Sequence, residues 1–216
     1  MPIRREPPRR SSSAVPAGAI CKRSVLAWVL VSVAGSAAAL APGAHVPDFT
    51  LTDESGASHE LYALSTKKAI VIMTQSNGCP IVRLAVPAMR DIRDRYPKRD
   101  IEFLLLNPTL QDSAKAVAQE AAEFKFGLPV LLDSTQKVGE ALGVNRTAEV
   151  YVIDPKSWTL VYHGPIDDRL NYETQRPVHH RYLSDALDEI LAGKPVAVAS
   201  ASSPGCLINF PNRKHG

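Results

Sequence analysis

The amino-acid sequence predicts an α/β domain with a central mixed sheet flanked by helices. Three observations carry that expectation. Residues 69–73 (Ala-Ile-Val-Ile-Met) and residues 101–106 are apolar runs of strand length, the pattern of strands covered on both faces. Between them Ile81, Leu84, Ala85, Ala88 and Ile92 recur at helical spacing. Later in the chain, residues 150–153 and 159–162 read as an antiparallel pair joined by Asp154-Pro155-Lys156-Ser157.

Taken in order, residues 49–52 alternate as a short strand and Gly56 marks a turn. Residues 69–73 form the first central strand. A helix over residues 80–95 follows, stopped by Tyr96-Pro97 and expected to kink at Pro87. Residues 101–106 form the next buried strand, and Asp112 is placed to cap a helix over residues 113–124. A short strand at 130–132 leads into a helix over 135–142, with Gly143 as its stop. After the antiparallel pair, residues 164–181 lack periodicity; a loop this long either borders a site or lies in solvent. Leu183, Ala186, Leu187, Ile190 and Leu191 then define a last helix over 182–191, ended by Gly193 and Pro195.

With 216 residues, 45% of them hydrophobic, the chain can build one proper core. Its net charge of +3 is small, and much of the basic excess lies in the first 23 residues, so nothing argues for nucleic acid as a partner. There is no phosphate-binding glycine loop, no C-x-x-C zinc pair and no C-x-x-C-H haem site; no cofactor and no metal is expected. The adjacent His179 and His180 point apart and read as a surface pair.

The first 41 residues form a segment of another kind. Arg4, Arg5, Arg9, Arg10, Lys22 and Arg23 precede an apolar stretch, residues 25–41, that ends in small residues, with Ala37-Ala38-Ala39 in the form of a signal-peptidase site. Residues 1–41 are therefore expected to be a signal peptide. The alternative is an N-terminal membrane anchor, for which a stretch of about 17 residues sits at the short limit. Either way the expected location is periplasmic or secreted, with membrane contact only through this segment. Removal of the head takes Cys21 with it and leaves Cys79 and Cys206 in the mature chain.

Cys79 carries the clearest chemical signal. The buried strand ends, a polar turn over residues 74–78 follows, and Cys79 stands where the helix begins, with Pro80 at the first helical position. A thiol there faces unpaired N–H groups and the positive end of the helix dipole, both of which favour the thiolate. A lone cysteine is otherwise a small buried hydrophobe, but this one lies in a polar turn at the end of a strand where open α/β sheets build their sites.

Strand, polar turn, Cys79 and helix, with Pro87 eight residues on, resembles the active-site segment of the thioredoxin superfamily. The opening Val46-Pro-Asp-Phe-Thr-Leu-Thr-Asp53 resembles its redoxin, or alkyl-hydroperoxide-reductase/thiol-specific-antioxidant, branch. The resemblance spans about residues 44–193 and implies a thioredoxin-like fold, with the strand and helix at 130–142 as the insert expected of that branch. It implies thiol redox chemistry with Cys79 as the nucleophile, and Ser76 in the place of the Thr or Ser that orients a peroxidatic thiolate. The departures are specific. Val82 stands where a dithiol protein has its second cysteine, Met73 where peroxiredoxins have a proline, and Ala148 where thioredoxins place a cis-proline. Arg146 lies two positions from a peroxiredoxin's thiolate-stabilising arginine. Arg83, one turn beyond Cys79, reads equally as a thiolate or anion partner and as helix surface.

Cys206 lies in Ser203-Pro-Gly-Cys-Leu-Ile208, within a tail, residues 194–216, expected to be flexible. The tail resembles the Gly-Cys-x-Ile ending of some redoxin-domain proteins. Two cysteines in an oxidising compartment can form a static bridge; a mobile Cys206 can instead resolve an intermediate formed at Cys79. The expected function is thus an exported thiol redox protein acting on a peroxide or a disulfide substrate and recycled by an external, thioredoxin-like thiol reductant. The alternative is a non-catalytic binding domain on the same fold, stabilised by a Cys79–Cys206 disulfide.

Made in a Gram-negative host, the protein is expected to start near Leu40 by intact mass. An intact Met1 form in the cytosol would overturn removal of the head.

Overall fold

A computed structural model describes Met1 and residues 40–170 and 174–211. The predicted signal segment lies almost wholly outside the described residues. Among those described, no helix is long and apolar enough to cross a membrane.

A small hairpin, β1 (Thr50–Thr52) and β2 (Ser58–Glu60), precedes the main sheet. The sequence reading missed β2, because Ser58-His59-Glu60 carries no apolar signal. The turn is organised by Asp53, whose Oδ1 accepts the N–H groups of Ser55 and Ala57 while Oδ2 pairs with His59 at 2.7 Å. The main sheet has the order β5-β4-β3-β6-β7. Its members are β3 (Ala69–Thr74), β4 (Ile101–Asn107), β5 (Val130–Leu132), β6 (Val150–Asp154) and β7 (Thr159–Gly164). Strands β3, β4 and β5 are parallel, whereas β6 runs antiparallel to β3, and β7 to β6. This is the thioredoxin-like mixed sheet, with helices α1 (Pro80–Arg95), α2 (Ala114–Glu123), α3 (Lys137–Ala141) and α4 (Tyr182–Leu191) around it.

The central strand β3 is buried along its whole length, and its two faces feed two cores. Ala69, Val71 and Met73 face one side, where α1 supplies Val82, Ala85, Val86, Met89 and Ile92, and α4 supplies Leu183, Ala186 and Leu187. Ile70 and Ile72 face the other, with Leu104, Leu106, Tyr151, Ile153, Leu142 and Phe210. The apolar stripe of α1 passes through Val82, Val86 and Met89 and leaves Leu84, expected to be buried, exposed on the opposite side. The helix runs through Pro87 as one element.

Three local readings differ. Helix α2 is capped by Ser113, whose Oγ accepts the Ala116 N–H, and not by Asp112. Helix α3 is shorter than expected, because Gln136 takes a left-handed φ of 60° just before it. The third difference concerns the C-terminal segment, expected to be a flexible tail. It is laid onto the domain: Ala199 and Ala201 bond to His163 at the edge of β7, Ile208 bonds to Asn145, and Phe210 is buried on Gly139 of α3. Backbone groups along 145–147 and at the β7 edge supply hydrogen bonds that hold it.

Ile72 is fully buried at the sheet centre, so Ile72→Ala is expected to cost about 2–5 kcal/mol. Urea unfolding should show a lower midpoint at an unchanged slope.

Candidate active site

Strand β3 ends at Thr74, and the chain turns through Gln75 to Gly78 before α1 begins. Gly78 has φ 77°, a conformation that favours glycine. Two carboxylates hold the turn from α2 and the loop before it. Asp112 accepts the Asn77 N–H at 2.8 Å, and Glu120 accepts the Gly78 N–H at 2.7 Å. Glu120 is buried and also takes Arg83 Nε at 2.9 Å, and the Arg83 guanidinium lies over the Phe124 ring. Arg83 is thereby turned onto α2. Cys79 occupies the N-cap of α1 in an extended conformation.

Against Cys79 stand two groups from distant parts of the chain. Cys206 Sγ lies 3.0 Å from Cys79 Sγ, and Thr147 Oγ1 lies 3.1 Å from it. Thr147 also accepts the Cys206 N–H at 2.9 Å through the same oxygen, and its own N–H donates to the Cys206 carbonyl. A thiolate can only accept, so with Cys79 ionised the Thr147 hydroxyl donates to sulfur while accepting from Cys206. Thr147 is presented by a tight loop. Ala148 takes φ 55°, costly for a residue with a Cβ, and Thr74 clamps the loop from below, its Oγ1 donating to the Arg146 carbonyl and accepting the Glu149 N–H.

The two thiols differ electrostatically. Burial pushes the Cys79 thiol up, but hydrogen bonds from Thr147 and Cys206 and from the N–H groups of Val82 and Ile81 outweigh it and hold Cys79 below the ordinary thiol range. Cys206 is pushed up by burial, by its hydrogen bond to Cys79 and by the charge there. Once the pair has lost one proton, the remaining one therefore belongs on Cys206.

Of the residues singled out from sequence, Cys79 and Cys206 are brought together. The side-chain hydroxyl at the sulfur is that of Thr147, whereas Ser76 contributes a carbonyl, which accepts the Cys79 N–H. Arg146 Nη1 donates to the Gly205 carbonyl. From the 164–181 loop, Asp167, Leu170 and Arg176 line an open cleft of about 520 Å³ with Arg146 and residues 201–204. Thr147 and Glu120 escaped the sequence reading, and Asp112, expected only as a helix cap, holds the turn instead. For Thr147 a signal existed, since it immediately precedes Ala148; a glutamate on an Ala-rich helix carries none.

The model of the AhpC/TSA family matches residues 42–162. The thiol-disulfide oxidoreductase ResA of Geobacillus thermodenitrificans is 27% identical over 116 residues, 54% of this chain and 65% of that protein. The chain thus covers less than two thirds of that relative's length. A structure of a hypothetical protein from Sinorhizobium meliloti superposes with a TM-score of 0.72 at 27% identity, over 81% of this chain and 97% of the other. The thioredoxin domain of a thiol-disulfide oxidoreductase from Bacteroides vulgatus superposes with a TM-score of 0.54 at 16% identity, over 70% and 98% of the two chains, a likeness of fold.

Thr147→Val removes the hydroxyl that favours the Cys79 thiolate, so the midpoint of Cys79 alkylation against pH is expected to move upward. In the wild type it should lie below that of Cys206. Peptide mass mapping of alkylated protein reads both, and an unmoved midpoint would exclude the hydroxyl as the stabilising group.

Proposed function

The chain belongs to the AhpC/TSA family, and from that premise we propose that it is an exported thiol-disulfide oxidoreductase cycling between a Cys79/Cys206 dithiol and an internal disulfide. The observation that carries the reading is the 3.0 Å approach of the two sulfurs, with the lower-pKa thiol at the helix start and the higher-pKa thiol on the C-terminal segment. A disulfide needs about 2.05 Å between sulfurs, so closing it requires a shift of about 1 Å.

In the forward direction the Cys79 thiolate attacks one sulfur of a substrate disulfide. That S–S bond breaks, the departing thiolate takes a proton from solvent, and a mixed disulfide is left on Cys79. Cys206 then loses its proton and attacks Cys79 Sγ, expelling the second substrate thiolate and closing Cys79–Cys206. The substrate disulfide has gained two electrons and the protein dithiol has lost two. An external thiol reductant supplies two electrons to reopen the bridge. Thr147 stabilises the Cys79 thiolate at the start of the cycle and positions Cys206 through its N–H and carbonyl. The Asn77–Gly78 turn, held by Asp112 and Glu120, keeps the first-turn N–H groups of α1 directed at the sulfur.

Disulfide exchange is favoured over peroxide reduction because the Ser76 hydroxyl is not at the sulfur and Arg146 is engaged with Gly205. Export rests on the basic and apolar character of residues 1–41 and fits a dithiol poised for oxidation.

The experiment treats reduced mature protein separately with a protein disulfide and with hydrogen peroxide, following thiols by mass. The protein disulfide is expected to oxidise the wild type faster, giving a monomer lighter by two hydrogens. Cys206→Ser should stop at a mixed disulfide on Cys79, and Cys79→Ser should form no bridge. Faster reaction with peroxide would move the protein to the peroxidases. Turnover of Cys206→Ser at the wild-type rate would remove Cys206 from the mechanism, and a bridge that no thiol reductant opens would favour the static binding domain.

A further inference from the structure

The C-terminal segment does more than bring Cys206 within reach. It is held on both sides of the site. Upstream, the His163 N–H donates to the Ala199 carbonyl and the Ala201 N–H donates to the His163 carbonyl. Downstream, the Ile208 N–H donates to the Asn145 carbonyl, Gln136 Nε2 donates to the Asn209 carbonyl at 2.7 Å, and Phe210 is buried against α3. Between these anchors, residues 205–207 lie along residues 146–147 through a single antiparallel bridge, with Arg146 opposite Leu207. Their seat is close-fitting: a Cβ on Gly205 would lie 1.6 Å from the Thr147 carbonyl oxygen, far inside any contact a side chain tolerates.

This arrangement conflicts with the first chemical step. Cys79 is 5% exposed, with Cys206 and Thr147 on its sulfur and the N–H groups of Ile81 and Val82 behind it. An incoming substrate sulfur must reach the same shell around Cys79 Sγ that Cys206 already occupies. The stretch that would have to move is held at Cys206 by Thr147 and at the Gly205 carbonyl by Arg146, bonds that opening must break. Ser203 Oγ is buried without a hydrogen-bond partner, and residues 201–204 border the open cleft of about 520 Å³, which leaves room for them to swing.

We infer that residues 202–207 form a latch that closes the nucleophile in the reduced protein, so that Cys79 reacts with an external partner only from a released state and Cys206 returns with the latch to complete the bridge. This rests on Cys79 being the nucleophile, as proposed above. The device explains in one mechanism why a resolving thiol sits on a segment anchored at both ends. The anchors limit how far Cys206 travels, and release exchanges the bonds of Cys206 to Thr147 and of the Gly205 carbonyl to Arg146 for contact with solvent. Gly205 is required for closure because no other residue fits the approach to Thr147.

The test is alkylation of the reduced full chain by iodoacetamide, followed at Cys79 by peptide mass mapping up to a pH at which its thiol is fully ionised. The plateau rate there reports access, separate from the midpoint, which reports the thiolate. Gly205→Ala forces the latch from its seat, and Phe210→Ala loosens the downstream anchor. If the released state is a minor population of the wild type, below about one part in ten, both folded variants should raise the plateau about tenfold or more. An unchanged plateau in a folded Gly205→Ala protein would overturn the latch; should that variant fail to melt cooperatively, the Phe210→Ala plateau decides in the same way. Alkylation needs no disulfide substrate. A raised plateau in a protein that exchanges no disulfides would therefore sink the oxidoreductase reading and leave the latch standing.

Discussion

The hydroxyl of Thr147 joins the three parts on which the site depends: the start of α1, the loop before β6 and the C-terminal segment. A single oxygen lies 3.1 Å from Cys79 Sγ and accepts the Cys206 N–H at 2.9 Å. It is both a thiolate partner and the anchor of the second thiol. Its position rests on the layer below, because Thr74 at the end of the buried β3 bonds the loop on both sides of Ala148 and holds Ala148 in a left-handed conformation. The strain at Ala148 is balanced by contacts from the buried central strand of the sheet.

A second layer of polar contacts explains how a short turn keeps its shape without a side-chain cap on α1. Asp112 and Glu120 reach the consecutive N–H groups of Asn77 and Gly78. Glu120 is buried, and a buried carboxylate is tolerated only when its lone pairs are filled; Gly78 and Arg83 fill them. Helix α2 therefore acts on the site through the turn and not by contact with sulfur. The resulting asymmetry of the two thiols, Cys79 lowered and Cys206 raised, follows from which of them receives hydrogen bonds and which donates.

Much of the fold was legible because it depends on local patterns. The apolar runs of β3 and β4 mark strands covered on both faces, and Pro80 and Tyr96-Pro97 bracket α1 at the ends the structure has. Strand β2 was not legible, since it is held by the side chain of Asp53 and not by apolar alternation. Leu84 was misplaced because a stripe at helical spacing can be drawn through more than one set of residues; packing on Val71 and Met73 selects Val82, Val86 and Met89. The site was half legible. The place of Cys79 follows from its neighbours in the chain, but the partner hydroxyl lies 68 residues away and the second sulfur 127.

The sequence by itself determined the order of the main-sheet strands and the helices, the burial of the central strand and the placing of one cysteine at a helix N-terminus. These follow from side-chain periodicity and from the backbone chemistry of proline and glycine, which act over a few residues. Only the tertiary structure decided that Thr147 and not Ser76 meets the sulfur, that Asp112 and Glu120 hold the turn, and that the tail is seated. Each of these is a pairing of polar groups distant in sequence. Such pairings are selected when the sheet fixes which loops share its end and every buried N–H and hydroxyl there must find a partner.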